Sequence, residues 1–167
     1  MFGEKFATRL NSFLSKPEIF WKNDTSTLTV DKLIERAGTV KGLTDLDLNY
    51  PDHVTEKLND IVKCVHDNNL SINGFAMRYY TNTAFKLGAF TNPDKKVRQE
   101  AIDLTKKGID VARKSNCNLV TIWLGQDGFD YGFQADYKKL WQDEIEGIRE
   151  VALHDKDCQI SIEYKPN

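Results

Sequence analysis

The sequence has few cysteines, no long apolar run and no concentration of basic side chains, and each absence excludes a class of protein. The three cysteines are odd in number and far apart, and no Cys-x-x-Cys or Cys/His spacing suits zinc. We therefore predict reduced thiols in a cytoplasmic protein. The first residues lack the apolar run of a signal peptide, and no stretch is long enough to cross a bilayer, so no membrane partner is expected.

Neither positive nor negative charge predominates in the sequence. The formal net charge is -2, and Lys and Arg are interleaved with Asp and Glu along the whole chain. A nucleic-acid-binding protein should carry a basic stripe, so no nucleic-acid partner is expected. The composition, 40% hydrophobic and 29% charged, is ordinary for one folded domain. No repeat, linker or low-complexity tract divides the chain, which predicts a single domain over residues 1–167.

Short β-type segments alternate with helical patterns, which predicts βα units around a parallel sheet. The expected strands cover residues 6–13, 43–50, 70–79, 119–124 and 159–165. Helices are expected after Thr29 and Thr55 as N-caps and from Pro93 as the first helical residue. A fourth helix is indicated by an apolar stripe at residues 141, 145, 148 and 152.

Four βα units and a fifth strand correspond to about five-eighths of a (β/α)₈ barrel, which takes about 250 residues. An open, doubly wound sheet is the alternative, but both of its faces should be apolar. Here Asp45, Asp47 and Asn49 share one face of the second strand, which suits a barrel interior. We therefore predict an α/β fold, a partial TIM barrel made of strands one to five, with residues 1–167 as one incomplete domain.

The strongest chemical signal is the last strand, where residues 160–167 read Ile-Ser-Ile-Glu-Tyr-Lys-Pro-Asn. Strand alternation places Glu163 and Lys165 on the same side. A carboxylate is a hard oxygen ligand that suits Mg²⁺ or Mn²⁺, and a lysine beside it can hold a substrate oxygen or carry a proton. A Glu–Lys surface pair is the alternative, and spacing alone leaves the two open.

This strand resembles the Ile-Glu-x-Lys-Pro-Asn-Glu-Pro-Arg stretch of xylose isomerases. Two further stretches are similar to that family. Residues 85–91 read Phe-Lys-Leu-Gly-Ala-Phe-Thr and are followed by Val97-Arg98, and residues 122–128 read Ile-Trp-Leu-Gly-Gln-Asp-Gly. The resemblance implies that Glu163 is a catalytic carboxylate and a ligand of Mg²⁺, Mn²⁺ or Co²⁺. It implies that Lys165 contacts the substrate and takes part in catalysis.

The resemblance also implies a set of substrate contacts. Trp123 is expected to form an aromatic wall, although a tryptophan on a strand is more often a core residue. Tyr79 or Tyr80 stands near the family's active-site Phe, and His53 follows the second strand at the rim, while the chain's histidines in general are expected on the solvated surface. The predicted substrate-binding residues are Trp123, Asp47, Tyr80, Phe90 and His53.

The departures from the family pattern bear on which sugar is the substrate. Leu46 stands where the second-strand His that helps to open the sugar ring would fall, and Asn11 replaces the first-strand Trp. The family's Gly-Arg-Glu-Gly is Gly-Gln-Asp-Gly at residues 125–128. An aldose or ketose other than xylose is therefore expected as the small-molecule substrate.

The resemblance thus implies the N-terminal part of a divalent-metal-dependent sugar isomerase that interconverts an aldose and a ketose. The complete enzyme is expected to be a homo-oligomer, a dimer or a tetramer. This chain alone is expected to be inactive, because one Glu cannot supply all the oxygens that a metal site needs. The alternatives are a same-fold sugar epimerase or inosose dehydratase, and a same-fold endonuclease, which the missing basic stripe disfavours.

Overall fold

The five predicted β-type segments form the strands of one parallel sheet. The computed structural model describes residues 4–21, 28–54, 57–125, 127–129 and 131–164. The strands are β1 (Ala7–Arg9), β2 (Asp45–Tyr50), β3 (Ser71–Met77), β4 (Leu119–Trp123) and β5 (Gln159–Glu163). They pair in sequence order, and all four pairings are parallel. The predicted α/β partial barrel of strands one to five is confirmed.

Helices connect the strands on one side of the sheet. They are α1 (Pro17–Phe20), α2 (Val30–Gly38), α3 (Leu58–Asp67), α4 (Lys95–Lys114) and α5 (Tyr137–His154). Side-chain oxygens of Thr29, Asp94 and Asp136 accept backbone hydrogen bonds at the starts of α2, α4 and α5. Short 3₁₀ turns cover Leu10–Leu14 and Thr83–Phe85. None of the helices in the described ranges is long and apolar enough to cross a membrane.

Two predicted boundaries are wrong. β1 ends at Arg9 because the chain turns into a 3₁₀ helix at Leu10, so the expected strand over residues 6–13 is cut short. α4 begins at Lys95 instead of Pro93, since the Asp94 carboxylate accepts from the Lys96 N–H and takes the N-cap position. The predicted cap Thr55 lies outside the described residues.

The apolar stripe predicted for α5 is also wrong. Trp141 and Ile145 are 65% and 49% exposed, whereas Glu144, Gly147 and Val151 are the buried positions. Gly147 explains the orientation, because a Cβ atom there would lie 2.4 Å from Cδ1 of Phe90. The helix packs closest to the core at Gly147, so each buried position lies one residue before the expected one.

The two faces of the sheet differ in chemistry. Under the helices lie apolar side chains with no exposed surface, namely Leu46, Leu48, Phe75, Val120 and Ile122. We call the opposite side of the sheet the inner face. Its side chains alternate along the strands with the apolar ones under the helices, and they include Arg9, Asp47, Asn49, Trp123 and Glu163. The three cysteines are free thiols, and Cys117 and Cys158 are buried.

A contact across the inner face shows that the sheet is curved as in a barrel. The backbone register that starts at Arg9 runs through Asp47 and Gly74 to Gln159 on β5. Nevertheless, the Arg9 guanidinium contacts Glu163, which lies 163 − 159 = 4 residues farther along β5. In an eight-stranded barrel with a shear of 8, the residues that lie at the same height along the barrel axis shift by about one position from each strand to the next. Over the four steps from β1 to β5 this shift is about four residues.

Candidate functional site

The centre of the inner face is an ion pair between the last residues of β1 and β5. Arg9 Nη2 contacts Glu163 Oε2, and the two side chains are 31% and 45% exposed. Both residues end parallel strands, which is where barrel enzymes assemble their active sites. Arg9 was not predicted as a site residue, because the strand was expected to run to residue 13 and Arg9 then falls within it.

An aromatic rim borders Glu163 on one side. Trp123 pairs in register with Glu163, and its ring meets the Tyr80 ring edge-on at a centroid distance of 4.9 Å. The Arg78 guanidinium lies 4.6 Å from the Tyr80 centroid and 5.8 Å from the Trp123 centroid. Gly125 approaches the indole so closely that a Cβ atom would lie 3.0 Å from Trp123. Trp123 and Tyr80 thus lie together beside Glu163, and their contact with substrate stays a prediction.

His53 is buried next to this rim, so the expectation of a solvated histidine is wrong for it. The turn after β2 folds the ring back onto the strand, where Nδ1 accepts from the Asn49 N–H at 3.0 Å. Burial lowers the pKa of His53 from 6.5 to about 4; Asp52 opposes this change and the Arg78 cation adds to it. The ring is therefore neutral at pH 7, with its proton on Nε2.

Asp47 is on the inner face but is not brought to the strand ends. It lies three residues before the end of β2, and its Oδ1 accepts from the Asn73 side chain at 2.7 Å. Asn49 lies two residues nearer the strand end, is 2% exposed, and leaves its Oδ1 atom without a hydrogen-bond partner. A buried carbonyl oxygen without a partner is costly, so Asn49 is the better candidate for a ligand contact.

Phe90 is on the wrong side of the sheet for a substrate contact. It is 1% exposed, packs edge-on against Tyr79 at 5.7 Å, and lies against Gly147 of α5. Tyr79 belongs to the same core, where its hydroxyl lies 2.7 Å from Thr105 Oγ1. The predicted role of Phe90 is therefore corrected to packing between the sheet and its helices.

Hydrogen bonds connect the two stretches that resemble the family, residues 85–98 and 122–128, which we call the family-like stretches. The Asp127 carboxylate accepts hydrogen bonds from the Ala89 N–H at 3.0 Å, the Thr91 N–H at 2.8 Å and the Thr91 hydroxyl at 2.5 Å. Gly88 makes this approach possible, with a φ of 104° and no side chain to strike Thr91. Arg98 donates to the Asn92 carbonyl at 2.7 Å.

The described residues offer a divalent ion only part of a site. They contain no group of three or more His, Cys, Asp or Glu side chains that could hold a metal. Glu163 supplies one carboxylate, and the Arg9 guanidinium contacts its Oε2 atom. The predicted catalytic residue Lys165 lies outside the described residues.

Comparisons with known proteins agree with this architecture. Residues 36–166 match the family model described as xylose isomerase-like TIM barrel. A curated xylose isomerase from Thermus thermophilus is 25% identical over 146 residues, which are 83% of this chain and 38% of that protein. The chain therefore spans less than half the length of this curated relative.

Solved structures share the fold at lower identity. A D-psicose 3-epimerase from Clostridium cellulolyticum H10 has a TM-score of 0.64 and 18% identity, over 95% of this chain and 51% of its own. A family 2 AP endonuclease from Brucella melitensis has a TM-score of 0.67 and 16% identity, over 96% of this chain and 55% of its own. A third neighbour, an L-ribulose 3-epimerase, has a TM-score of 0.67 and 14% identity, over 96% and 49%.

Proposed function

The chain belongs to the xylose isomerase-like TIM barrel family, and we propose that it is the N-terminal part of a divalent-metal-dependent sugar isomerase. The observation that carries this proposal is the position of Glu163, at the end of β5 on the inner face. Trp123 lies beside it in register, as a wall for a sugar would. Residues 1–167 are then one incomplete barrel domain of a cytoplasmic enzyme that works as a dimer or a tetramer.

Glu163 is the residue that we assign to metal binding and catalysis. Aldose–ketose interconversion moves hydrogen between adjacent carbons while negative charge develops on the carbonyl and hydroxyl oxygens. A bound Mg²⁺, Mn²⁺ or Co²⁺ supplies stabilisation of that charge. The Arg9 cation orients the Glu163 carboxylate toward the inner face. The roles of Lys165 in substrate contact and proton movement rest on the family resemblance.

The aromatic rim binds the sugar and excludes water from it. Trp123 and Tyr80 offer apolar ring surface to the carbon skeleton of a sugar. Neutral His53 carries a proton on Nε2 that it can donate to a sugar oxygen. The unpartnered Asn49 Oδ1 atom can accept from a sugar hydroxyl. We propose this arrangement as the substrate-binding part of the site.

The inner face of β2 favours a second candidate, an epimerase that acts on keto-sugars, or an inosose dehydratase. Leu46, the residue expected at the position of the ring-opening His of xylose isomerases, is fully buried under the helices and does not face the barrel interior. The described inner face of β2 carries Asp45, Asp47 and Asn49 and no histidine. Such a strand suits a substrate that needs no ring opening. A same-fold endonuclease is disfavoured, because the chain has a net charge of -2.

The test uses the complete protein with a panel of aldoses and ketoses and with each of the three ions. Product analysis by NMR distinguishes aldose–ketose conversion from epimerisation of a ketose. We expect Glu163→Gln to weaken metal binding and turnover by roughly 100-fold or more, since even outer-shell partners contribute about 10- to 100-fold. Glu146→Gln, an exposed change on α5, is the matched control.

Arg9→Met sharpens this test because its expected effect on metal binding has the opposite sign. The Arg9 guanidinium competes with an ion for the Glu163 carboxylate. A partly exposed ion pair contributes up to about 1 kcal/mol, so its removal should tighten metal binding about two- to fivefold. Calorimetry measures both variants. Unchanged metal affinity and turnover in Glu163→Gln would refute the assignment of Glu163.

A further inference from the structure

Arg78 is a cation of the inner face to which the proposed isomerisation assigns no role. It follows Met77, whose side chain packs under the helices against Gly108 of α4, so alternation turns Arg78 to the inner face. Its backbone N–H donates to the Tyr50 carbonyl at 2.8 Å and so continues the pairing of β3 with β2. The side chain therefore starts from the C-terminal end of β3, at the same end of the sheet as Glu163.

The surroundings of Arg78 belong to the middle of the described sheet. β3 is the central strand of the five, with β2 on one side and β4 on the other. The side chain is 14% exposed, and its guanidinium meets Asp52 after β2, Tyr80 after β3 and Trp123 at the end of β4. The burial of Arg78 thus comes from three adjacent strands and the turns that follow them.

The charge of this guanidinium is only partly balanced. Asp52 Oδ2 lies 3.8 Å from Arg78 Nε, which is too long for a hydrogen bond. Nε is buried and has no hydrogen-bond partner. No described residue accepts a hydrogen bond from Nη1 or Nη2, and these two atoms are not enclosed. Because removing a cation from water is costly unless an anion compensates it, Nη1 and Nη2 are suited to an anionic group of a ligand.

Two aromatic rings hold the guanidinium in place. Its central carbon lies 4.6 Å from the Tyr80 centroid and 5.8 Å from the Trp123 centroid. A guanidinium that is already stacked loses little freedom when a ligand binds. Its open edge, Nη1 and Nη2, presents two parallel donors, which match the two oxygens of a carboxylate.

A carboxylate suits this position better than a phosphate. A phosphate monoester carries nearly two negative charges at pH 7, whereas one guanidinium offers a single positive charge, part of which Asp52 already balances. The neighbouring His53 adds no positive charge, because its pKa is about 4. A planar group with one negative charge therefore fits Arg78 in both shape and charge.

We propose that the substrate is a sugar acid and that Arg78 binds its carboxylate through Nη1 and Nη2. The proposal rests on the proposed isomerase function and names the substrate class of that site. β3 and β5 are two strand spacings apart, about 10 Å, so a sugar whose carboxylate lies at Arg78 extends past Trp123 toward Glu163. The carboxylate then stands at the end of the carbon chain opposite to the carbonyl, as it does in a uronate. Arg78 determines which substrate binds and takes no part in the chemical step.

Calorimetry on the complete protein measures binding separately from turnover. The ligands are D-glucuronate and D-galacturonate, their neutral amides D-glucuronamide and D-galacturonamide, and D-glucose 6-phosphate. We expect at least one uronate to bind at least about tenfold more tightly than its amide, because charge-assisted hydrogen bonds are about twice as strong as neutral ones. The preference should persist in EDTA, where a bound ion cannot account for it. Equal binding of each uronate and its amide, or tighter binding of the phosphate ester, would overturn the proposal.

Variants assign the preference to Arg78. Arg78→Met keeps an apolar stem against the rings and removes the charge, so each uronate and its amide should bind alike. Arg78→Lys keeps the charge without the two parallel donors and should restore only part of the preference. Arg149→Met, an exposed change on α5, is the matched control and should leave the preference intact. A preference that survives in Arg78→Met contradicts the proposal. The comparison of uronate with amide in the parent protein decides the matter if Arg78→Met does not fold.

Turnover distinguishes this proposal from the proposed function. Uronates should be converted with a kcat/KM at least about tenfold above that of their amides, and Arg78→Met should act mainly through KM. Conversion of neutral sugars as efficiently as uronates would refute the sugar acid and leave the isomerase assignment in place. Uronate binding that depends on Arg78, without conversion of any sugar, would support the sugar acid and refute the isomerase assignment.

Discussion

Glu144 makes the stability of the chain depend on pH in a direction that is unusual for a carboxyl group. Its pKa is about 8 in the folded protein and 4.5 in the unfolded chain. The folded state therefore binds the proton more tightly than the unfolded state does. The stabilisation is fully present below pH 4.5 and is lost as the pH rises through 8.

The size of this effect follows from the two pKa values. One pKa unit corresponds to about 1.4 kcal/mol, so the rise from 4.5 to about 8 corresponds to about 5 kcal/mol of unfolding free energy lost by pH 9. About 3 kcal/mol of this is already lost at pH 7. Glu144→Gln is neutral at every pH and removes this titration while it keeps nearly the same volume.

The assay compares urea unfolding of Glu144→Gln and the parent protein between pH 4 and pH 9. Carboxylates such as Glu150, whose pKa is lowered by Lys106, titrate equally in both proteins and cancel in the difference. We expect Glu144→Gln to gain about 5 kcal/mol relative to the parent across this range. Glu146→Gln, which is exposed, should follow the parent within about 0.5 kcal/mol. A Glu144→Gln difference that stays constant from pH 4 to pH 9 would refute the reasoning.

Three further outcomes are expected. Gly147→Ala should cost about 1–3 kcal/mol in urea unfolding because its Cβ would lie 2.4 Å from Phe90, whereas Gly132→Ala, with nothing within 4 Å, should be nearly neutral. Asp127→Ala should cost about 2–3 kcal/mol, since the Ala89 and Thr91 donors lose their acceptor, and faster amide exchange at Thr91 checks it. The isolated 167-residue chain should self-associate through exposed strand edges and the apolar surface at Trp141 and Tyr164, and a sharp monomer peak in sedimentation velocity would contradict this.

The parts of the fold that the sequence predicts are those set by neighbouring residues. Alternation in Asp45–Tyr50 and Gln159–Glu163 predicts both the strands and the face that each side chain takes, because side chains alternate with period two. Thr29 caps α2 as expected, since an N-cap needs only an oxygen within reach of the next turn. The parallel order of five strands follows from the alternation of elements.

Features set by long-range packing were not predictable in this way. Arg9 and Glu163 are 154 residues apart, and they meet only because the sheet curls. His53 is polar and follows a strand, yet a turn places it under the rim, where burial decides its pKa. The buried face of α5 depends on the close approach of Gly147 to Phe90, which no periodicity within the helix encodes.

The family-like stretches show that residues which match the family need not line the functional site. Gly88, Thr91 and Asp127 belong to the two longest matched stretches, and hydrogen bonds between these stretches hold the loop after β3 against the loop after β4. Such residues place the rim that carries Tyr80 and Trp123, but they do not face the barrel interior themselves. A chain can therefore keep them while its inner face changes. The substrate is consequently to be sought in the inner-face residues.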